Sequence, residues 1–409
     1  MSARWQSARR ILCVRLDALG DVLMCTPAMR ALRAALPGRR LTLLGSPSGA
    51  AVAPFVPEID ELIVHRAAWV KEGAAAASDA AALPEAPASP AAPGQAPPKV
   101  PPWPGTAIRD AEAGLALVAT LAARRFDAAV IFTTYTQSAL PAALLCQLAG
   151  IPLRLAHCRE NPYDLLSDWV PEPESPTLVR HEVLRQLALV ARVACAPPDL
   201  HLSFAPRPSD VAAGHARLRR AGVDPDLPWI LLHPGASAAS RRWPPALWAR
   251  LLRLLASAPG LPLVLTGDGA ETALVDGIRL AAGVPAVSLA GQLGLGELGA
   301  VLGMAAVAVT NNTGPAHIAA AVGTPLVDLY ALTNPQHTPW AVPNRVLFQD
   351  VPCRFCYKSS CPAGHHACLA GVAPERVAAA VLELLPPRPP HAAASHVAPE
   401  PALPSTDAA

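Results

Sequence analysis

The sequence predicts an α/β protein of two Rossmann-like, doubly wound parallel-sheet domains that face each other across a cleft. Three observations carry this expectation. The chain has 409 residues, more than one hydrophobic core usually serves. Short apolar runs alternate with helical segments near the N-terminus, and the alternation restarts after residue 228. Glycine-containing loops follow the first apolar run of each half, where sheets of this kind bind their ligands.

Residues 10–15 read as a buried strand, 21–36 as a helix and 41–44 as a second strand, a parallel β-α-β opening. Pro27 lies inside the helical pattern, which predicts a kink there or a helix that starts later than Asp21. Residues 62–65 and 128–132 supply two further strands. Between them, residues 73–104 form an Ala/Pro-rich stretch that cannot bury enough surface to order itself, so it reads as a disordered insertion. Residues 386–409 share that composition and that reading. A helix over residues 180–193 leads into a polar, proline-containing passage, which places the domain boundary there and gives units of 1–205 and 206–385. The second unit contributes strands at 229–233, 263–266, 306–309 and 326–329, and helices at 245–256, 271–281 and 315–322.

Composition narrows the function. A formal charge of +2 gives no basic field for nucleic acid. Arg15 and Asp17 interrupt the first apolar run before the core of a signal peptide forms, and no run reaches the roughly 18 to 20 residues that span a bilayer. A cytoplasmic protein is expected, with peripheral contact at the inner membrane at most. Nine cysteines in such a chain read as reduced thiols. Four of them, Cys353, Cys356, Cys361 and Cys368, have the spacing C-x2-C-x4-C-x6-C with His365 and His366 nearby, enough ligands for a structural zinc. Thiols lining the acceptor side are the preferred reading, and zinc is the lesser one.

Several joints carry residues suited to chemistry. Asp21 ends a glycine-containing loop after the first strand, where it serves either as a helix N-cap or as a carboxylate that takes a proton from an attacking hydroxyl. His233, Pro234, Gly235 and Ala236 follow the first strand of the second half, where small residues let backbone approach a phosphate. Arg241 and Arg242 add fixed positive charge beside that loop, or are an ordinary solvated pair. Asn311, Asn312, Thr313, Gly314, Pro315 and His317 make a helix start aimed at the cleft, with Thr313 as the expected cap and with free amides that favour a diphosphate. Glu271 is placed to hold ribose hydroxyls, or to complement its own helix dipole. Asp224 and Asp226 match the letters of a metal-binding Asp-x-Asp but stand in a turn-like setting and are set aside, and no P-loop is present.

Taken in order, Val14-Arg15-Leu16 through Gly20-Asp21-Val22-Leu23, Thr26-Pro27, His233-Pro234-Gly235-Ala236, Arg242-Trp243-Pro244, Thr313-Gly314-Pro315-Ala316-His317 and Gly323-Thr324-Pro325 resemble glycosyltransferase family 9, the bacterial ADP-heptose:lipopolysaccharide heptosyltransferases. The resemblance implies a GT-B enzyme that works without a metal or other cofactor. It would move a heptose from a nucleotide sugar to a lipid-linked core oligosaccharide, with inversion. It implies Asp21 as the base, Glu271 as a ribose ligand, and Thr313, Gly314 and His317 as the diphosphate loop. Arg241 stands where such enzymes commonly carry Lys, and Asn312 where they commonly carry Asp. A GT-B sugar-nucleotide epimerase and a non-catalytic sugar-nucleotide or glycan-binding module are the alternatives. An epimerase would alter the sugar without an acceptor, and the retained Asp21 speaks against the binding module.

Overall fold

The computed structural model describes residues 3–70, 105–172, 180–258 and 260–386. The insertion expected over residues 73–104, and all but the first residue of the tail expected over 386–409, lie outside the described residues.

The first sheet contains β1 (Arg10–Arg15), β2 (Arg40–Gly45), β3 (Glu61–Val64), β4 (Ala128–Ile131), β5 (Leu153–Cys158) and β6 (Asp168–Pro171). The second contains β7 (Ile230–His233), β8 (Leu263–Leu265), β9 (Val287–Ser288), β10 (Val307–Asn311), β11 (Leu326–Leu329) and β12 (Asn344–Leu347). All pairings are parallel, in the orders β3-β2-β1-β4-β5-β6 and β12-β11-β10-β7-β8-β9. Both sheets start in the middle, run out to one edge and then cross to the other side. Each therefore has a switch point at its carboxyl edge, between β1 and β4 in one and between β7 and β10 in the other.

The central strands are apolar throughout because helices cover both faces of a parallel sheet. In β1, Ile11 and Cys13 enter one core while Leu12 and Val14 enter another. One of these cores is shared by the two halves of the molecule: Val22 and Leu23 of the first half pack in the same cluster as Ile318 and Ala319 of the second. The helices Leu19–Ala34 and Gly314–Ala321 make this junction by close approach of their first turns. A Cβ added to Gly20 would stand 2.4 Å from Cδ2 of His317, and one added to Gly314 would stand 2.7 Å from Cδ1 of Leu19. A Cβ at Gly20 would strike the His317 ring, and one at Gly314 would require Leu19 to move.

The helix after β1 begins at Leu19, earlier than expected, and continues through Pro27 to Ala34. Proline there removes the N–H that the Leu23 carbonyl would accept. The Thr26 hydroxyl replaces it, donating to the Leu23 oxygen at 2.7 Å while accepting from the Ser203 amide at 2.9 Å. Thr26 is fully buried, so both partners would lose their bond together if the hydroxyl were removed. Thr26→Val is expected to destabilise the protein by about 1–3 kcal/mol in urea unfolding. Thr26→Ser, which keeps the hydroxyl, should lose clearly less.

Candidate active site

A cavity of about 680 Å³ opens between the carboxyl edges of the two sheets. Asp21, His233, Gly235, Arg241, Glu271, Asn312, Thr313, Gly314 and His317, all proposed from sequence, line it, whereas Pro234, Arg242 and Asn311 do not.

On the side of the second sheet, β7 ends at His233, whose Nδ1 lies 3.0 Å from the Thr266 hydroxyl. Burial pushes this imidazole down to about 4, so it is neutral near pH 7. Its Nε2 stands 3.7 Å from Glu271. Glu271 is the last residue of a short 3-10 turn, and the α-helix begins one residue later, at Thr272. The Glu271 carboxylate accepts from the Asp268 amide at 3.0 Å, and Asp268 accepts from the Glu271 amide at 2.9 Å. Its expected role at the helix start is therefore a shared one, with Asp268 as the cap. A Cβ on Gly235 would fall 2.0 Å from the Glu271 carboxylate, so the glycine makes the space that this carboxylate occupies.

Asn311, at the end of β10, ties the loop after β7 in place. Its side-chain amide donates to the carbonyls of Pro234 at 2.8 Å and Gly235 at 3.2 Å, and its oxygen accepts from the Trp243 amide at 3.2 Å. The Asn312 side-chain oxygen accepts from the Ala331 amide at 3.3 Å. The expected arginine pair divides. Arg241 faces the cavity and donates to the Asn312 carbonyl at 3.3 Å, whereas Arg242 turns to the Ala236 carbonyl at 2.7 Å and does not line the cavity. Thr313 stands at the N-cap position of the helix Gly314–Ala321, but its side chain does not cap it. The hydroxyl bonds back to the Asn311 carbonyl at 3.3 Å. The Thr313 side chain thus makes no cap hydrogen bond to the helix start, and Thr313, Gly314 and Pro315 line the cavity. His317, one turn in, is held neutral by burial, its pKa lowered to about 3.

The side of the first sheet is organised by a residue that sequence reasoning used only as the end of an apolar run. Arg15, the last residue of β1, is fully buried. Each guanidinium nitrogen meets a different carboxylate: Nε is 2.9 Å from Asp17, one Nη is 3.1 Å from Asp21 and the other is 2.8 Å from Glu182. Asp21 is not the N-cap of its helix. Ala18 holds that position and Asp21 is the third helical residue, accepting from the Ala18 amide at 3.1 Å. Because three carboxylates share one cation, they do not titrate alike. Burial works against the charge of Glu182, but Arg15 and Arg185 hold it down at about 2. Burial raises Asp17 to about 6 against the pull of Arg15. Burial also raises Asp21, opposed by Arg15 and reinforced by Glu182. A carboxylate poised above its ordinary range beside a cavity is suited to accept a proton.

Three further cavity groups were not singled out from sequence. Asp17 accepts from the Gln137 side chain. The His337 Nε2 stands 3.9 Å from Asp21, and burial lowers this imidazole to about 4. Lys358 is brought in by a segment clipped to the second sheet, with the Ser240 hydroxyl donating to its carbonyl at 2.9 Å and the Tyr357 amide donating to Thr333 at 2.7 Å. The four cysteines of the C-x2-C-x4-C-x6-C spacing lie in and beside the same segment. Cys353 lies 3.8 Å from His365 Nε2, but among the described residues no three His, Cys, Asp or Glu side chains gather where they could hold a metal ion. The segment follows largely irregular backbone, with Cys353 exposed and the other three thiols partly so. Asp224 and Asp226 form a local turn away from the cavity, with Asp226 paired to Arg219 at 3.1 Å.

The profile of glycosyltransferase family 9 (heptosyltransferase) matches residues 115–367. The structure is similar to the glycosyl transferase family 9 protein from Veillonella parvula DSM 2008, at TM-score 0.70 and 18% identity, covering 92% of this chain and 97% of that one. It is similar to the E. coli ADP-heptose lps heptosyltransferase II, at TM-score 0.64 and 21% identity, covering 92% and 98%. It is also similar to E. coli heptosyltransferase WaaC with ADP, at TM-score 0.56 and 16% identity, covering 91% and 97%. No curated protein matches the chain by sequence. The structural likenesses carry the two-sheet fold, and the profile spans more than half of the chain, including most of the cavity-lining loops. The chain belongs to glycosyltransferase family 9, the heptosyltransferase family, and is a glycosyltransferase.

Proposed function

We propose that this enzyme transfers a heptose or a related sugar from a nucleotide sugar, ADP-heptose by preference, to a hydroxyl of a lipopolysaccharide-core or similar glycan acceptor, with inversion and without a metal. The observation that carries the proposal is the meeting of two helix starts at one cavity, one bearing Asp21 and the other open at Thr313 and Gly314. A proton acceptor and an anion-binding end thus serve the same ligand. The reading is supported by the similar E. coli heptosyltransferase WaaC, which has been solved with ADP and with ADP-2-deoxy-2-fluoro heptose.

In this reading the unit 206–385 binds the donor and the unit 1–205 the acceptor. Asp21 takes the acceptor proton as the hydroxyl attacks the anomeric carbon from the face opposite the diphosphate. The helix dipole at Gly314, the Arg241 guanidinium and Lys358 together supply the positive charge that the departing nucleoside diphosphate needs. Metal would then be dispensable. The neutral imidazoles of His233 and His317 donate or accept hydrogen bonds there without adding charge, and Glu271 takes the ribose hydroxyls. A lipid-linked acceptor would bring the enzyme to the cytoplasmic face of the inner membrane as a peripheral protein. No helix among the described residues is long and apolar enough to cross a membrane.

Asp21→Asn is expected to lower single-turnover transfer on the order of 10² to 10⁴-fold while leaving donor affinity nearly unchanged. Stability should hold, because an Asn oxygen can still accept the Ala18 amide and one fewer carboxylate crowds Arg15. Transfer near the wild-type rate would remove Asp21 from the mechanism. The base works only when ionised and its pKa is raised. The wild-type kcat/KM should therefore fall with decreasing pH already above the ordinary carboxylate range. Gly235→Ala displaces the Glu271 carboxylate and should weaken nucleotide-sugar binding about tenfold, the scale of one lost charged hydrogen bond. Calorimetric titration with the nucleotide alone would read that loss, and an unchanged affinity would exclude Glu271 from the nucleotide site.

A further inference from the structure

We infer that Glu182 is a positioning residue for Asp21, acting through Arg15 to fix the orientation and the charge balance of the Asp21 carboxylate. This rests on the reading of Asp21 as the base. Glu182 opens the helix Glu182–Ala191, is fully buried and does not line the cavity, so it has no direct access to a substrate. Its Oε1 accepts from Arg15 at 2.8 Å and from Gln186 at 2.7 Å. Its own amide donates to the Gln336 carbonyl at 2.9 Å, beside the His337 that faces Asp21. Arg15 is a planar group whose two Nη atoms donate to Glu182 and Asp21 while its Nε stands 2.9 Å from Asp17, so these contacts restrain its rotation. The edge it offers Asp21 is the one that Glu182 leaves.

The charges around Asp21 come from every element packed on it. Arg15 faces it from β1, Asp17 from the following loop and Glu182 from its helix, while His337 and Arg241 face it from the second half of the molecule. Burial holds His337 neutral, as it does His317 at the neighbouring helix start. Arg185 and Gln186 flank Glu182 and keep it ionised beside Arg15. Glu182 therefore takes up part of the Arg15 charge that would otherwise fall on Asp21, and leaves Asp21 a stronger base than a one-to-one ion pair would.

The test compares the acid limb of the kcat/KM profile, with ADP-heptose and a lipopolysaccharide-core acceptor, in wild type and two variants. Glu182→Gln frees Arg15 to act more fully on Asp21, so the limb should move to lower pH by about one unit. The double variant Arg15→Met with Glu182→Met removes the cation as well, and replacing a buried ion pair by apolar side chains of similar size is commonly tolerated. There the limb should move upward, because the lowering by Arg15 outweighs the raising by Glu182. Opposite shifts with unchanged nucleotide affinity support the inference. Limbs that stay in place, or that move in the same direction with only a lower Tm, would make Glu182 a structural residue. Asp21→Asn separates the two ideas: wild-type transfer in that variant overturns the base itself, whereas a large loss together with unmoved limbs overturns only the role of Glu182.

Discussion

The architecture turns on the contact between two helix starts. Gly20 and His317 approach closely across the junction, as do Leu19 and Gly314, and a side chain at either glycine would force its neighbour to shift. That contact merges the apolar faces of both helices into a core common to the two sheets. It also fixes what can be brought to the cavity. The N-terminal ends of both helices point into one space, and their dipoles make that space favourable to anions. Arg15 lies beside the Asp21 carboxylate there and pairs with it at 3.1 Å.

The electrostatics follow from this crowding. A buried cation with three carboxylates leaves negative charge in excess, and burial penalises every ionised form. The outcome is unequal: Glu182 is held ionised by two arginines, while Asp17 and Asp21 are raised. Around the same cavity His233, His317 and His337 are all kept neutral by burial. The positive charge at the cavity therefore comes from the side chains of Arg241 and Lys358 and from backbone amides. Such an arrangement separates the group that must change protonation from the groups that must not.

How much of this was legible depends on sequence distance. The strand–loop–helix joints are contiguous, so Asp21, His233, Gly235, Asn312, Thr313, Gly314 and His317 could be placed at a cleft from local pattern alone, and all seven line the cavity. Central strands such as β1 and β10 were readable because they are apolar on both faces. The strands β5, β6, β9 and β12 lie toward or at the sheet edges and mix polar with apolar residues, so periodicity missed them. The pairing of Arg15 with Glu182 spans 167 positions and left no local signal. Asp21 was placed correctly, but its capping role was not, because the helix begins at Leu19 and the Ala18 position has no side chain to announce a cap. The cysteine spacing offered a ligand count but no geometry, because the arrangement of the thiols depends on the largely irregular backbone between them.

The central claim is that Asp21 and an open helix start act together on a single nucleotide sugar, with no metal between them. Single-turnover transfer from ADP-heptose in excess EDTA, with the anomeric configuration of the product read by NMR, tests it most directly. The account predicts an undiminished rate and an inverted anomeric centre. A rate that collapses on chelation and returns with added metal, or a product with retained configuration, would contradict it.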